Sequence, residues 1–128
     1  MAIKLKTYQY GSRRPRGEGL RLGVTRFLPR GVRKIDYARG NYFDVWYPVL
    51  APSQGLVRWL RSQPDLERAW PKFAQRYRRE MLGNPESRHT LQLLAALAKR
   101  TPLAIGCFCA DEAHCHRSLL KQLIEEAA

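Results

Sequence analysis

The chain has 128 residues, the commonest size for one domain, and can bury a hydrophobic core of its own. Its hydrophobic fraction of 45% excludes a disordered chain, and 23 basic against 11 acidic residues leave a net charge of +12. That sign points to an anionic partner, either a small molecule or nucleic acid. No stretch has the length and apolarity of a membrane span or a secretory h-region. Three cysteines, an odd number, fit a reducing compartment better than a disulfide framework, so the expected location is cytoplasmic.

Ile3, Leu5 and Thr7 alternate with Lys4, Lys6 and Tyr8, which predicts a strand over 2–9 with one wet face. Residues 10–19, rich in Gly, Arg and Pro, predict a loop. Residues 20–28 predict a second strand, stopped by the turn residues Pro29-Arg30-Gly31. The stretch 32–52 carries scattered aromatics and two prolines and has no clear period. Ser53 after Pro52 has the chemistry of a helix N-cap, with Leu56, Val57 and Leu60 on one face and Pro64 as the stop. Trp70, Phe73, Tyr77 and Met81 recur at helical spacing, with Pro71 expected in the first turn, and Gly83-Asn84-Pro85 ends that helix. A third helix is predicted from about Glu86 to Arg100, with Leu91, Leu94, Leu97 and Ala98 inward. The apolar run Leu103–Cys109 predicts a buried central strand. A polar loop over 110–113 then leads to a last helix carrying Leu119, Leu120, Leu123 and Ile124. The expected fold is α/β: a single compact domain over 1–128, with a small parallel or mixed sheet flanked by helices.

The strand–loop–helix at the C-terminal end holds the chemistry. Ligands of open α/β sheets bind beyond the carboxyl ends of strands, and free N–H groups at a helix start favour anions. Cys115, His116 and Arg117 fall at such a start. Cys115 is the candidate nucleophile or redox thiol, His116 its acid or base, and Arg117 an anion clamp. A phosphatase-type loop is excluded: it needs an Arg six positions after its Cys, and counted from Cys109 that position is Cys115. Cys107, Cys109, His114, Cys115 and His116 are soft-ligand types. Their spacing matches no familiar finger, so no metal is expected, with Cys107, Cys109 and His114 as weak candidates and zinc or iron left open as cofactors. The bland alternative is that Cys107 and Cys109 are strand residues of the core.

Between Gly11 and Gly40 lie Arg13, Arg14, Arg16, Arg21, Arg26, Arg30, Arg33, Lys34 and Arg39, opposed by Glu18 and Asp36 alone. Such density reads as a phosphate-binding surface or a solvated one. Arg26 and Arg30 are expected to face the same cleft as Cys115 and Arg117. Gly31 would let a ligand approach the backbone, and the Ser53 hydroxyl is a further anion contact. Trp46 and Tyr47 are candidates for ligand contact, whereas Trp70, Phe73 and Tyr77 are expected in the core.

Several fragments together resemble an uncharacterised bacterial family, the YeaO-like proteins (domain of unknown function 488). These are Arg26-Phe27-Leu28-Pro29-Arg30-Gly31, Leu50-Ala51-Pro52-Ser53, Arg76-Tyr77 followed by Glu80, and Cys115-His116-Arg117. The resemblance covers nearly the whole chain and implies a compact α/β fold without implying an activity. Thr25 and Cys109 stand where an acidic residue would be expected. The functional expectation is a pocket for an anionic, phosphate-bearing ligand, with thiol-dependent catalysis as one version of it. The alternatives are a non-enzymatic nucleic-acid binder and a metal-binding accessory protein. No membrane partner is expected.

Overall fold

The computed structural model describes residues 3–128. Four strands, β1 (Leu5–Gln9), β2 (Leu20–Gly23), β3 (Val45–Trp46) and β4 (Leu103–Cys107), form one parallel sheet in the order β1-β4-β2-β3. Helices α1 (Gln54–Arg61), α2 (Leu66–Gly83) and α3 (Pro85–Ala98) intervene between β3 and β4, and α4 (His116–Ala127) follows. Short 3-10 turns lie at Lys34–Asp36, Pro48–Leu50 and Glu112–His114. No helix of the described residues is long and apolar enough to cross a membrane.

The sheet is parallel throughout, and β4 is central and fully buried, as its uninterrupted apolar run predicts. Period-two alternation then divides its residues between two faces. Leu5, Leu22, Leu103 and Ile105 face the four helices, meeting Phe73, Tyr77, Leu91, Leu94, Leu120 and Ile124 in one apolar core. On the opposite face Tyr8 and Ala104 meet Tyr10 and Phe43, with Tyr37, Tyr42 and Trp46 packed around them. That second layer is made of loops rather than helices. It is held by Arg21, which β2 turns away from the helices and which is fully buried. Its Nε donates to Glu18 at 2.6 Å, and its Nη1 donates to the carbonyls of Ser12 and Asn41. Its guanidinium also lies 4.0 Å above the Tyr8 ring.

Several sequence expectations need correction. The strand predicted over 2–9 begins at Leu5, and its first predicted residue lies outside those described. The strand predicted over 20–28 ends at Gly23. Its neighbour β4 stops at Cys107, so after Val24 donates to the Gly106 carbonyl no backbone remains to pair with. Residues 24–31 therefore turn out over the sheet edge. Helix α2 starts earlier than the aromatic period suggests, because Asp65 caps it by accepting from the Arg68 N–H; this leaves Pro71 inside the helix, on an exposed face, instead of in its first turn. Leu97 is 41% exposed, so α3 turns Leu91, Leu94, Ala95 and Ala98 inward without it. Cys109 lies past the end of β4 and is exposed, not in the strand core.

Candidate functional site at the carboxyl edge of the sheet

Strands β2 and β4 are parallel neighbours, so their carboxyl ends open on the same edge. From β2 come Thr25 through Arg30. From β4 come Cys107, Phe108 and Cys109, followed by the loop that returns to α4. Helices α1 and α2 close the outer side with Val57, Leu60, Arg61, Leu66, Trp70 and Phe73. These segments enclose a cleft of about 830 Å³. Cys107, Cys109, His114, Cys115 and His116 line it, together with Arg26, Arg30 and Arg61. Arg26 and Arg30 therefore do share a cleft with Cys115.

The three sulfurs stand together. All lie within 4.8 Å of one another, and Cys107 Sγ is 3.8 Å from Cys109 Sγ. Cys107 and Cys115 are buried and Cys109 is exposed. Hydrogen bonding from Cys107 and Cys115, helped by the nearby charge of Arg117, holds the Cys109 thiol well below its ordinary range. Its bond to Cys109 pushes the Cys107 thiol up to about 11, bonds to Cys107 and Cys109 push the Cys115 thiol up, and burial adds to the effect in both. Within the cluster ionisation is favoured at the exposed Cys109 and opposed at the buried Cys115, the thiol that the helix-start argument singled out. The helix start is real, since Cys115 is the N-cap of α4. The residue is only 1% exposed, however, and burial opposes ionisation of its thiol.

His116 is buried, and burial lowers its pKa to about 4, so the ring is neutral near pH 7. Its Nε2 donates to the Val24 carbonyl at 2.7 Å, which leaves Nδ1 as the acceptor, 3.9 Å from Cys115 Sγ. The ring meets Tyr77 edge-on. His114, at the cleft, has its Nδ1 2.7 Å from Asp111 Oδ2 and its ring edge-on to Trp70.

The other predicted anion contacts are distributed unevenly. Arg117 is 4% exposed and does not line the cleft; its Nη1 donates to the Cys109 carbonyl at 2.6 Å, and its buried Nε has no partner. Arg26 donates through Nε and Nη2 to the carbonyls of Pro52 and Ala51. Ser53 donates its backbone N–H and its hydroxyl to the Glu80 carboxylate and accepts from the Leu56 N–H, so it is engaged within the protein. Gly31 takes a left-handed backbone, φ +75°, which glycine adopts without strain, and a Cβ there would meet no protein atom within 4 Å. Among the described residues Arg30 and Arg61 have no hydrogen-bond or ion-pair partner.

Trp46 is not a free contact: its Nε1 donates to the Thr25 carbonyl and it packs in the aromatic layer opposite the helices. Trp70 and Phe73, expected in the core, pack there and also line the cleft. Arg61 was missed. It lies among other exposed arginines on a helix, and only the folded hairpin of α1 and α2 brings it to the cleft.

The fragments that carried the family resemblance meet in one network. Arg26 holds Ala51 and Pro52, Glu80 holds Ser53, and the Tyr77 hydroxyl donates to the Leu50 carbonyl at 2.7 Å while its ring meets His116. Fold and cleft together define a small parallel α/β protein with a thiol-floored pocket at the carboxyl edge of its sheet. A family model described as the active DUF488-N3 subclade matches residues 5–128, and the chain belongs to this family. No curated protein and no solved structure matches it.

Proposed function

We propose that the cleft binds an anionic, phosphate-bearing ligand and presents it to the sulfur of Cys109. The observation that supports this most is the pairing, in one 830 Å³ cleft, of unpartnered guanidinium groups on Arg30 and Arg61 with the exposed cysteine Cys109. A free arginine fork matches phosphate oxygens bidentately. The aromatic and aliphatic walls, Phe27, Trp70 and Phe108 among them, suit the uncharged part of such a ligand. The description of the family branch as active favours catalysis over passive binding. Cys115 and His116 then support Cys109 from behind: Cys115 by hydrogen bonding, and His116 as a neutral acceptor behind Cys115.

The test is titration with inorganic phosphate, read by calorimetry and by protection of Cys109 from iodoacetamide in peptide mass spectra. Arg30→Ala alters an exposed side chain with no partner in the protein. It is expected to keep the fold, weaken phosphate binding about tenfold (~1.4 kcal/mol) and abolish the protection. Equal affinity in both proteins removes the cleft as the anion site. Steeply salt-dependent binding of a long polyanion without phosphate binding would instead assign the function to the outer basic surface.

A further inference from the structure

We propose that Cys107, Cys109 and Cys115 form a three-sulfur binding site for a thiophilic divalent ion of the zinc type, with the fourth coordination position open to the cleft. The proposal rests on the cleft reading only for what occupies that fourth position; the site itself stands on the sulfurs.

Geometry carries it. Zinc–sulfur bonds are about 2.3 Å, so two sulfurs on a tetrahedral zinc stand about 3.8 Å apart. Cys107 and Cys109 stand 3.8 Å apart, and the third sulfur lies within 4.8 Å of both. Closing to a tetrahedral face needs a shift of at most about 1 Å, within the reach of a χ1 adjustment on the loop residue Cys109. The sulfurs come from two rigid supports: the end of the central strand for Cys107 and the first turn of α4 for Cys115. The C-x-C spacing that looked unfamiliar works because the chain leaves the sheet at Cys107: in an extended strand residues two apart share a face but stand about 6.6 Å apart along it, and the bend after Cys107 lets the two sulfurs converge.

Charge balance agrees. A divalent ion with three thiolates carries one net negative charge, which is costly to bury without compensation. Arg117 lies behind the loop, 4% exposed, with a buried Nε that no protein atom satisfies. The positive end of α4 points the same way. An orphaned buried nitrogen on the guanidinium that holds the Cys109 carbonyl is what a nearby anionic metal–thiolate centre would explain. The open fourth position is the mark of a zinc site that meets a ligand, rather than a closed structural one.

The experiment uses the full chain purified with a non-thiol reductant and no chelator, its metal content measured by mass spectrometry and its chelator-treated form titrated with Zn²⁺ and Co²⁺. One equivalent of zinc per chain is expected, along with thiolate-to-cobalt charge-transfer absorption and the visible bands of tetrahedral Co²⁺. Cys109→Ser changes an exposed loop position and should keep the circular dichroism of the parent while weakening zinc binding by more than about tenfold. Arg30→Ala should bind zinc normally while losing phosphate. If three thiols titrate freely, no zinc is retained and Co²⁺ gives no charge-transfer band, the metal site is overturned, and phosphate binding then shows whether the cleft reading survives it. Zinc uptake unchanged in Cys109→Ser would equally overturn the assignment.

Discussion

Arginine 21 shows how differently residues of one type are used. It is a strand residue buried beside Glu18 and donating to two loop carbonyls, so it joins the sheet to the segments that cover it. Arg14 performs a related task nearer the surface, bidentate on Asp44, whose second oxygen also accepts from the Arg21 backbone N–H. Hydrogen bonding from Arg14 lowers the Asp44 pKa below the ordinary carboxylate value. A carboxylate depressed on folding contributes stability above its unfolded pKa of about 3.9, and that contribution is lost as pH falls through the folded value. Asp44→Asn should therefore be less stable than the parent at pH 7, by about 1 kcal/mol or less because the pair is partly exposed, and the gap should close below about pH 4. Urea unfolding of both proteins at pH 7 and pH 3 checks this; a gap that stays constant with pH would mean that charge plays no part. Arg33 and Arg39 are tied to Asp36, and Arg26 to backbone carbonyls. Much of the basic segment that reads as a binding surface is therefore bracing, and of its two arginines at the cleft, Arg26 and Arg30, Arg30 is the one whose side chain is unpartnered.

Strand β4 is the element on which the rest is built. Both its neighbours are parallel to it, its inner face feeds the helix core, and its last residue supplies the first sulfur of the site. Its other face is closed by an aromatic layer so near that a Cβ on Gly106 would lie 2.2 Å from Cζ of Tyr8. Gly106→Ala is therefore expected to push Tyr8 aside, break its hydrogen bond to the Tyr42 carbonyl and cost roughly 2–3 kcal/mol, as overpacking does. The loss would be read as a fall in the urea midpoint, with the reactivity of Cys109 altered as the strand end moves. A wild-type midpoint would mean that the aromatic layer can retreat freely. Apolar run, flanking Pro102 and short length made β4 legible as a buried strand. The early stop of β2 was not legible, because Val24 through Leu28 has the composition of a strand and stops only where its partner runs out.

At the scale of the molecule, a charge of +12 on 128 residues acts against the compact state. Arg14–Asp44 and Arg78–Glu126 oppose that repulsion locally, but both pairs are partly exposed and contribute little. Raising sodium chloride from about 10 mM to about 0.2 M shortens the Debye length from about 30 Å to under 10 Å, which screens the long-range repulsion more than the contact pairs. The expected result is a melting temperature higher by a few degrees in differential scanning calorimetry. A fall would mean that the surface pairs outweigh the repulsion. Phosphate at equal ionic strength should raise it further, because an ion bound to the native state adds its own linkage.

The sequence alone determined the class of fold, the central strand, the capped start of α1 at Ser53 and the strand–loop–helix that borders the cleft. Each of these is written in local signals: period, capping chemistry, proline and glycine stops. It also placed Arg26 and Arg30 in one cleft with Cys115, since segments that follow neighbouring parallel strands share an edge. Tertiary structure decided which cysteine is exposed, which arginines are spent on carboxylates and carbonyls, and that Trp46 belongs to the packing of the sheet. Ionisation and hydrogen-bond partnership depend on burial and on atoms far away in the chain. Cys107 and Cys115 are eight positions apart, and nothing between them in the sequence states that their side chains meet.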